Sequence, residues 1–384
     1  MIIFLYVLFG ILLVNYGAFL FHIITGLKRV TKTGNKIIPH EFISIIVPFR
    51  NERENILRNL ESLENQNYPA DKFEIIYVDD NSTDGSFELL NSGRKKSNLK
   101  ILKLADSINT ISNKKRAIQF GIENSCGSII VTTDADCTYK QKWLKTLLSE
   151  FDSQTVFISG PVEFEDSSSI FGKTQLIEFE GLVLAGAGLI GYGKPAICNG
   201  ANIAYRKKLF NQLNGFEDNF SISSGDDVLL MQKAAIQKQG KIKFCWNNDA
   251  LVSTGSNQSL RDFMNQRKRW AGKGFAFPDK FLVFQLIIIF LFYAGLLIQT
   301  FLALFMYPLL WLTLIISVFI KMSMEYYIIK KGESLFSIKT NILIFILTEL
   351  MQVPYIILSV LNGLFGKFEW KDRKFKKGIG EKFA

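Results

Sequence analysis

Apolar residues fall along this chain in two regimes. Residues 1–26 and 281–363 are apolar almost throughout, whereas the stretch between them alternates short apolar runs with polar segments. The long runs match or exceed the roughly 20 residues a helix needs to cross a hydrocarbon core. The short runs read as an α/β domain. Residues 42–49 form a buried strand, which leaves through Arg50, Asn51 and Glu52 into a helix whose apolar positions Ile56, Leu57, Leu60 and Leu63 recur at helical spacing. Residues 73–80 predict a second strand ending in Asp79 and Asp80, and the polar turn Asn81 to Asp84 can cap the next helix. A short strand over 99–104, a helix over 113–123 and a strand built on Ile129, Ile130, Val131, Thr132 and Thr133 follow. This alternation predicts a parallel sheet with ligands at the carboxyl ends of its strands. Three of the first four strands deliver acidic or polar groups to that edge.

The long runs carry their own logic. Residues 1–26 predict an uncleaved anchor helix, because no basic residue precedes the run and no small-residue cleavage site follows it. Lys28, Arg29, Lys32 and Lys36 follow at once in a basic linker over 27–41, which by the positive-inside rule puts the next domain in the cytosol. Within a C-terminal membrane region over 279–365, residues 281–305, 308–329 and 341–365 predict three spans. Lys321 and Glu325, four apart, are expected to pair at the membrane interface. Three spans would leave the basic tail over 366–384 outside, against the same rule. Either the last segment, with Glu349, Gln352 and Pro354, is re-entrant or interfacial, or the rule fails here; a cytosolic tail is favoured.

Composition narrows the chemistry. The chain has 384 residues, of which 48% are hydrophobic, including 34 Phe, which is high for a soluble protein, and the excess is concentrated in the long runs. Its net charge of +10 clusters at 28–36, 267–273 and 367–377, beside membrane segments, where anionic lipid explains it; no nucleic-acid-reading motif accompanies it. Four cysteines without C-x-x-C spacing read as reduced thiols. Two histidines, His22 and His40, both near the first long run, exclude a histidine triad and a zinc site. Any reaction must run on carboxylates.

Two such acids, Asp134 and Asp136, close the strand at 129–133. Paired hard oxygen ligands there suit Mg²⁺ or Mn²⁺ carried on phosphate oxygens. Gly186, Gly188 and Gly191 match the dinucleotide fingerprint, but Gly193 and Pro195 interrupt the helix that it needs, so this stretch reads as a flexible loop near the acceptor. Asp226 and Asp227 open a helix, and such acids can cap it or do chemistry. Residues 259–275 predict an amphipathic helix bearing Gln266, Arg267, Arg269 and Trp270, suited to lying on a membrane surface.

Taken in order, Val47-Pro48 with Asn51-Glu52, the acids from Asp79 to Asp84, Lys114 to Gly121, Asp134-Ala135-Asp136, Gly225-Asp226-Asp227 and Gln266 to Trp270 resemble the family 2 glycosyltransferases. The set is most similar to the membrane branch that holds cellulose, chitin, hyaluronan and poly-N-acetylglucosamine synthases and ceramide glucosyltransferase. The resemblance implies a GT-A catalytic domain over 42–258, an α/β fold with a Rossmann-like mixed sheet, and an interface helix over 259–278. It also implies a UDP-sugar donor, a divalent cation and inversion at the anomeric carbon. By the same resemblance Pro48, Glu52, Asp79 and Asp80 hold the uridine part, and Lys114 matches a donor-site lysine. Asp134 and Asp136 form the D-x-D that positions ribose and metal-bound pyrophosphate. Asp227 is the catalytic base, and Gln266, Arg267, Arg269 and Trp270 match Q-x-x-R-W. Trp270 either carries a sugar ring or anchors the interface. Many relatives have Thr-Glu or Gly-Glu where Gly225-Asp226 stands, which leaves the role of Asp226 open. The expected acceptor is a lipid or a growing polysaccharide, the latter needing an oligomer or an accessory export subunit. The alternatives are a polyprenyl-phosphate sugar transferase and a non-catalytic nucleotide-sugar-sensing subunit. The expected setting is the bacterial inner membrane, with several spans and a cytosolic catalytic domain.

Overall fold

A computed structural model of the chain describes residues 2–30, 41–93, 98–105, 112–217, 220, 225–337, 339–365, 368–370 and 373–375. Most of the basic linker and of the tail, and with them the side on which the tail lies, fall outside the described residues.

Helix α1 (Ile2–Val30) leads into the strand β1 (Ile43–Phe49), then α2 (Ile56–Glu64), β2 (Phe73–Asp79), α3 (Ser86–Ser92), β3 (Leu99–Lys103), α4 (Asn113–Glu123) and β4 (Ile129–Thr132). Every residue of β1, β2 and β4 is buried, which is why their sequences are almost uninterruptedly apolar rather than alternating. After β4 come β5 (Thr138–Tyr139), α5 (Trp143–Leu148), β6 (Thr155–Ser159), β7 (Val162–Phe164), α6 (Ile170–Tyr192), β8 (Ile203–Arg206) and α7 (Lys207–Gln212). The chain continues through α8 (Val228–Ile236), β9 (Lys241–Phe244), β10 (Val252–Thr254) and α9 (Leu260–Lys273) to three long helices, α10 (Lys280–Phe305), α11 (Leu310–Gly332) and α12 (Ile342–Phe365).

The main sheet has the order β3-β2-β1-β4-β8-β6-β9. Its first four strands are parallel, as the alternation predicts, but β8 runs antiparallel to both β4 and β6, so the sheet is mixed. A small sheet, β5-β10-β7, lies beyond the end of β4.

The glycines at 186–191 do not form a loop. They lie in α6, a 23-residue helix capped by Ser169, whose hydroxyl accepts from the Gly172 amide, and terminated at Gly193 with φ of +88°. The glycines serve a helix crossing. A Cβ on Gly188 would stand 2.6 Å from the Ile23 carbonyl oxygen, and one on Gly191 would stand 2.3 Å from that of Gly26. Helix α1 therefore touches α6 backbone to backbone, as small residues allow between membrane helices.

Among the described residues five helices, α1, α6, α10, α11 and α12, are long and apolar enough to cross a membrane. They divide by burial: the most apolar window of α6 is 78% buried within the protein, whereas the other four windows are 11–28% buried. Helix α6 thus forms the inner wall, and Phe4, Val14, Phe301, Phe319 and Leu343 turn outward from the others. Exposed apolar surface on this scale suits a hydrocarbon solvent.

The Lys321–Glu325 pair is buried among the helices and has further partners. Lys321 is 2% exposed and reaches Glu325 at 3.1 Å, the Glu349 carboxylate, and the Gln352 amide oxygen at 2.8 Å. Tyr16 donates to Glu325 at 2.6 Å, and Tyr293 donates to Gln352 at 3.1 Å. The polar residues of α12 therefore face inward to this cluster, and the helix continues unbroken through Pro354. Buried charges of this kind need one another, so the cluster ties α1, α10, α11 and α12 together.

Candidate functional site

The carboxyl ends of β1, β2 and β4 meet at one edge, and the loops leaving them are strapped together. Asn51 and Asn81 both take positive φ, 52° and 57°, which turns the chain sharply at each strand end. Arg50 Nη1 donates to the Asp80 carbonyl at 2.7 Å, and Asn51 Oδ1 accepts from the Thr83 amide at 2.9 Å. Within this frame Pro48, Glu52 and Asp80 line a cleft. Asp79 does not. It is fully buried, and its Oδ1 accepts from the Ser82 amide at 2.9 Å, so it shapes the turn behind the cleft.

Asp134 and Asp136 line the same cleft. Their turn is held by a residue the motif does not contain. Asn59 on α2, fully buried, donates to the carbonyls of Asp134 and Cys137 at 3.1 and 2.7 Å and accepts from Tyr77 at 2.5 Å. Its side chain clamps both ends of the turn. If Asp134 and Asp136 hold donor and metal as the resemblance implies, Asn59→Leu is expected to weaken metal-dependent nucleotide binding about 10-fold, since it strips partners from buried carbonyls at about 1–3 kcal/mol. Titration of a nucleoside diphosphate with and without Mn²⁺ checks this; unchanged metal dependence in a folded variant would refute it.

From α4, Lys114 reaches Asp134 at 2.7 Å and Asp226 at 3.4 Å. Burial opposes its charge, but Asp134, Asp226 and Asp227 together raise its pKa well above the lysine range. Burial foremost, with Asp136 and Asp226 close by, pushes the Asp134 carboxyl up against the pull of Lys114. The Lys114 and Lys115 ammoniums overcome burial to hold Asp226 below the usual carboxylate range. Lys115, itself fully buried, is pulled down by burial to about 8.

Asp227 caps α8. Its Oδ1 accepts from the Val228 amide at 2.6 Å and its Oδ2 from the Gly200 amide at 2.8 Å, so both oxygens are fixed in direction. The turn before it needs Gly225, whose φ is +85°. Opposite stands α9, where Gln266, Arg269, Trp270 and Lys273 line the cleft. Those positions are i, i+3, i+4 and i+7, one helical face.

Arg267 is turned away from that face, which corrects its expected place in the cleft. It is 4% exposed and paired with the Glu178 carboxylate of α6, which also accepts from Tyr355 of α12 at 2.7 Å. The guanidinium stacks on Phe263 and Trp270, with 4.6 and 4.4 Å to the ring centroids, so it seats Trp270 from behind. Trp270 in turn stacks on Phe179, ring centroids 6.0 Å apart.

The structure thus brings Pro48, Glu52, Asp80, Lys114, Asp134, Asp136, Asp227, Gln266, Arg269 and Trp270 to one cleft and leaves Asp79 and Arg267 behind it. Lys273, Asn199 and Gly200 also line it, and sequence reasoning missed them. The lining carries the carboxylates of Glu52, Asp80, Asp134, Asp136, Asp226 and Asp227 against the cations Arg50, Lys114, Arg269 and Lys273. Negative charge is in excess, and its donors are hard oxygens. Among the described residues no three His, Cys, Asp or Glu side chains converge to enclose an ion. The hard carboxylate oxygens of the lining suit a Mg²⁺ or Mn²⁺ ion that takes its remaining ligands from phosphate oxygens.

The profile of the Glycosyl transferase family group 2 matches residues 129–353, and that of Glycosyl transferase family 2 matches residues 44–213. The chain belongs to the family 2 glycosyltransferases. Among curated proteins it is 34% identical to the glycosyltransferase AglE of Haloferax volcanii over 125 residues, covering 32% of this chain and 40% of that one. It is 25% identical to the probable glycosyltransferase YdaM of Bacillus subtilis over 211 residues, covering 51% of this chain and 48% of that one. The chain thus aligns with less than half the length of either relative. The mannosyltransferase PcManGT of Pyrobaculum calidifontis, solved in complex with GDP-Man and Mn²⁺, superposes with a TM-score of 0.55 at 17% identity, covering 94% of this chain and 99% of that one. That likeness confirms the GT-A fold of the mixed sheet.

Proposed function

We propose that this protein is a membrane-embedded, inverting glycosyltransferase that moves a sugar from a UDP-sugar, with a divalent cation, onto a lipid or polysaccharide acceptor. What carries the reading is the meeting of Asp80, Asp134, Asp136, Asp227 and Arg269 around one cleft, although they are far apart in the chain. Pro48, Glu52 and Asp80, at the β1 and β2 end, suit the nucleoside. Asp136 and Asp134 hold the cation, which when bound offsets the charge of the pyrophosphate. Arg269 and Lys273 supply fixed positive charge where the leaving diphosphate gains negative charge. Lys114 keeps the Asp134 carboxylate in place.

Asp227 does the proton work. Its oxygens are oriented by two backbone amides yet keep lone pairs free to accept an acceptor hydroxyl proton. As that O–H bond breaks, the oxygen bonds to the anomeric carbon from the face opposite the leaving group. As that bond forms, the bond from the anomeric carbon to the phosphate oxygen breaks, and the nucleoside diphosphate departs with the electron pair. Trp270 offers a flat face for the acceptor sugar or head group.

The test is turnover of UDP-glucose, UDP-N-acetylglucosamine, UDP-galactose and GDP-mannose by the purified protein in detergent. One UDP-sugar is expected to be consumed, slowly even with water as acceptor, with loss of activity in EDTA and recovery on adding Mn²⁺. Failure of every donor to bind or turn over would refute the reading, and turnover indifferent to EDTA would remove the cation from it.

A further inference from the structure

A second cavity, of about 620 Å³, adjoins the polar cleft of about 230 Å³. The two share Phe179, Asn199, Asp227, Trp270 and Lys273, so Asp227 stands at the junction between them. Beyond the junction the chemistry changes: the wall is made by Val183 of α6, Val228 of α8, Phe277 ahead of α10, Leu286 and Phe290 of α10, and Val360 of α12. The lining also includes Ile287 and Leu291 of α10, which are 39% and 43% exposed. Helix α10 is among those long enough to cross a membrane, so the cavity runs from the apolar outer surface to the base.

We infer that this cavity holds the hydrocarbon chain of the acceptor, which is a lipid whose head group carries the attacking oxygen to Asp227. The assignment of the head group rests on the reading of the cleft as a sugar-transfer site. A glycan passing this way would bury hydroxyls against a wall whose polar side chains, Ser159, Asn199, Asp227 and Lys273, are few, and each hydroxyl left without a partner is costly. A hydrocarbon chain meets no such penalty and is favoured by leaving water for an apolar wall. The continuity also sets the order of groups along the ligand, with the polar end at Asp227 and Lys273 and the chain leading back to the bilayer. Growth of a polymer at the head is not required, and one sugar per lipid is the expected product. The chemistry at the junction fits a neutral hydroxyl, facing the carboxylate, or a phosphate, facing Lys273.

Two lipids that carry a diazirine on the hydrocarbon chain close to the head group separate those heads: a polyprenyl phosphate and a diacylglycerol. On irradiation of the purified full-length protein, one of them is expected to label Val228 or Phe277, which are 1% and 6% exposed and out of reach of lipid lying on the outer surface. The same lipid unlabelled should compete the signal away, and the head that labels should also be glycosylated. Leu286→Trp, with Val360→Trp as a second filling variant, should cut labelling and transfer to lipid at least 10-fold while donor hydrolysis stays within 2-fold. Labelling by both probes confined to exposed residues of the wild-type protein would overturn the inference, as would undiminished lipid transfer in a filled variant. Donor hydrolysis without buried labelling would sink this inference alone. Buried labelling without any donor binding would sink the sugar-transfer reading and leave a lipid site.

Discussion

Asp227→Asn is expected to reduce transfer by about 10²–10⁴-fold, the usual contribution of a positioned general base, while nucleoside diphosphate binding is no weaker than in the parent. The substitution is mild in shape. One carboxylate oxygen becomes an amide NH₂, which must then face the amide of either Gly200 or Val228, both of which donate to Asp227. That loses one hydrogen bond and sets donor against donor, a stability cost of about 1–3 kcal/mol, which a well-folded domain tolerates. Its chemical effect is larger, because an amide cannot take a proton from a hydroxyl at neutral pH. Removing a negative charge near the diphosphate site should, if anything, favour donor binding. Rate and affinity should therefore separate, with kcat falling and the nucleotide Kd holding. A variant that still turns over within a few-fold of the parent, in detergent with UDP-sugar and Mn²⁺, would remove Asp227 from the role of base.

The second large effect concerns the buried pair behind Trp270. Glu178→Leu should destabilise the protein by about 3–5 kcal/mol, because it leaves a buried guanidinium without its counter-charge. Arg267 lies between Phe263, Trp270 and Glu178, and Tyr355 also depends on that carboxylate. Arg267→Met together with Glu178→Leu should recover at least half of the lost thermal stability in detergent, since two apolar side chains replace the pair without stranding a charge. Activity in the double variant should fall moderately, through looser seating of Trp270, with KM for the acceptor affected more than kcat. If Arg267→Met alone abolished kcat and left the melting temperature unchanged, the arginine would belong to the reacting centre after all.

The contrast between Arg267 and Arg269 shows what a linear pattern can reveal. Residues 266, 269, 270 and 273 share a helical face, and position 267 is about 100° away from 266. The spacing alone would have excluded Arg267 and added Lys273, had the helix been read by its faces rather than by the motif. Asp79 and Asp80 differ in the same way: adjacent residues at a strand end point to opposite sides, and which side is the cleft depends on the register of the neighbouring strands. The strands themselves were plain in the sequence, because β1, β2 and β4 are buried on both faces and their side chains are correspondingly apolar. Helix α6 was not. Its glycines resemble a loop, and Gly193 and Pro195, expected to interrupt a helix, are the signals that end one at Tyr192. Asn59 carries no motif at all; its importance comes from backbone carbonyls about 75 residues downstream that only the fold brings within reach.

The glycine crossing between α1 and α6 changes what the first helix is. Phe179, on α6, forms part of the cleft, and the same helix rests directly on Ile23 and Gly26 of α1. A fragment trimmed to begin after residue 40 would strip the backing from a wall of the cleft and bare a groove of glycines to solvent. The N-terminal segment is thus less a leash than a structural member, and preparing the enzyme in active form means keeping it in place with a detergent belt around it.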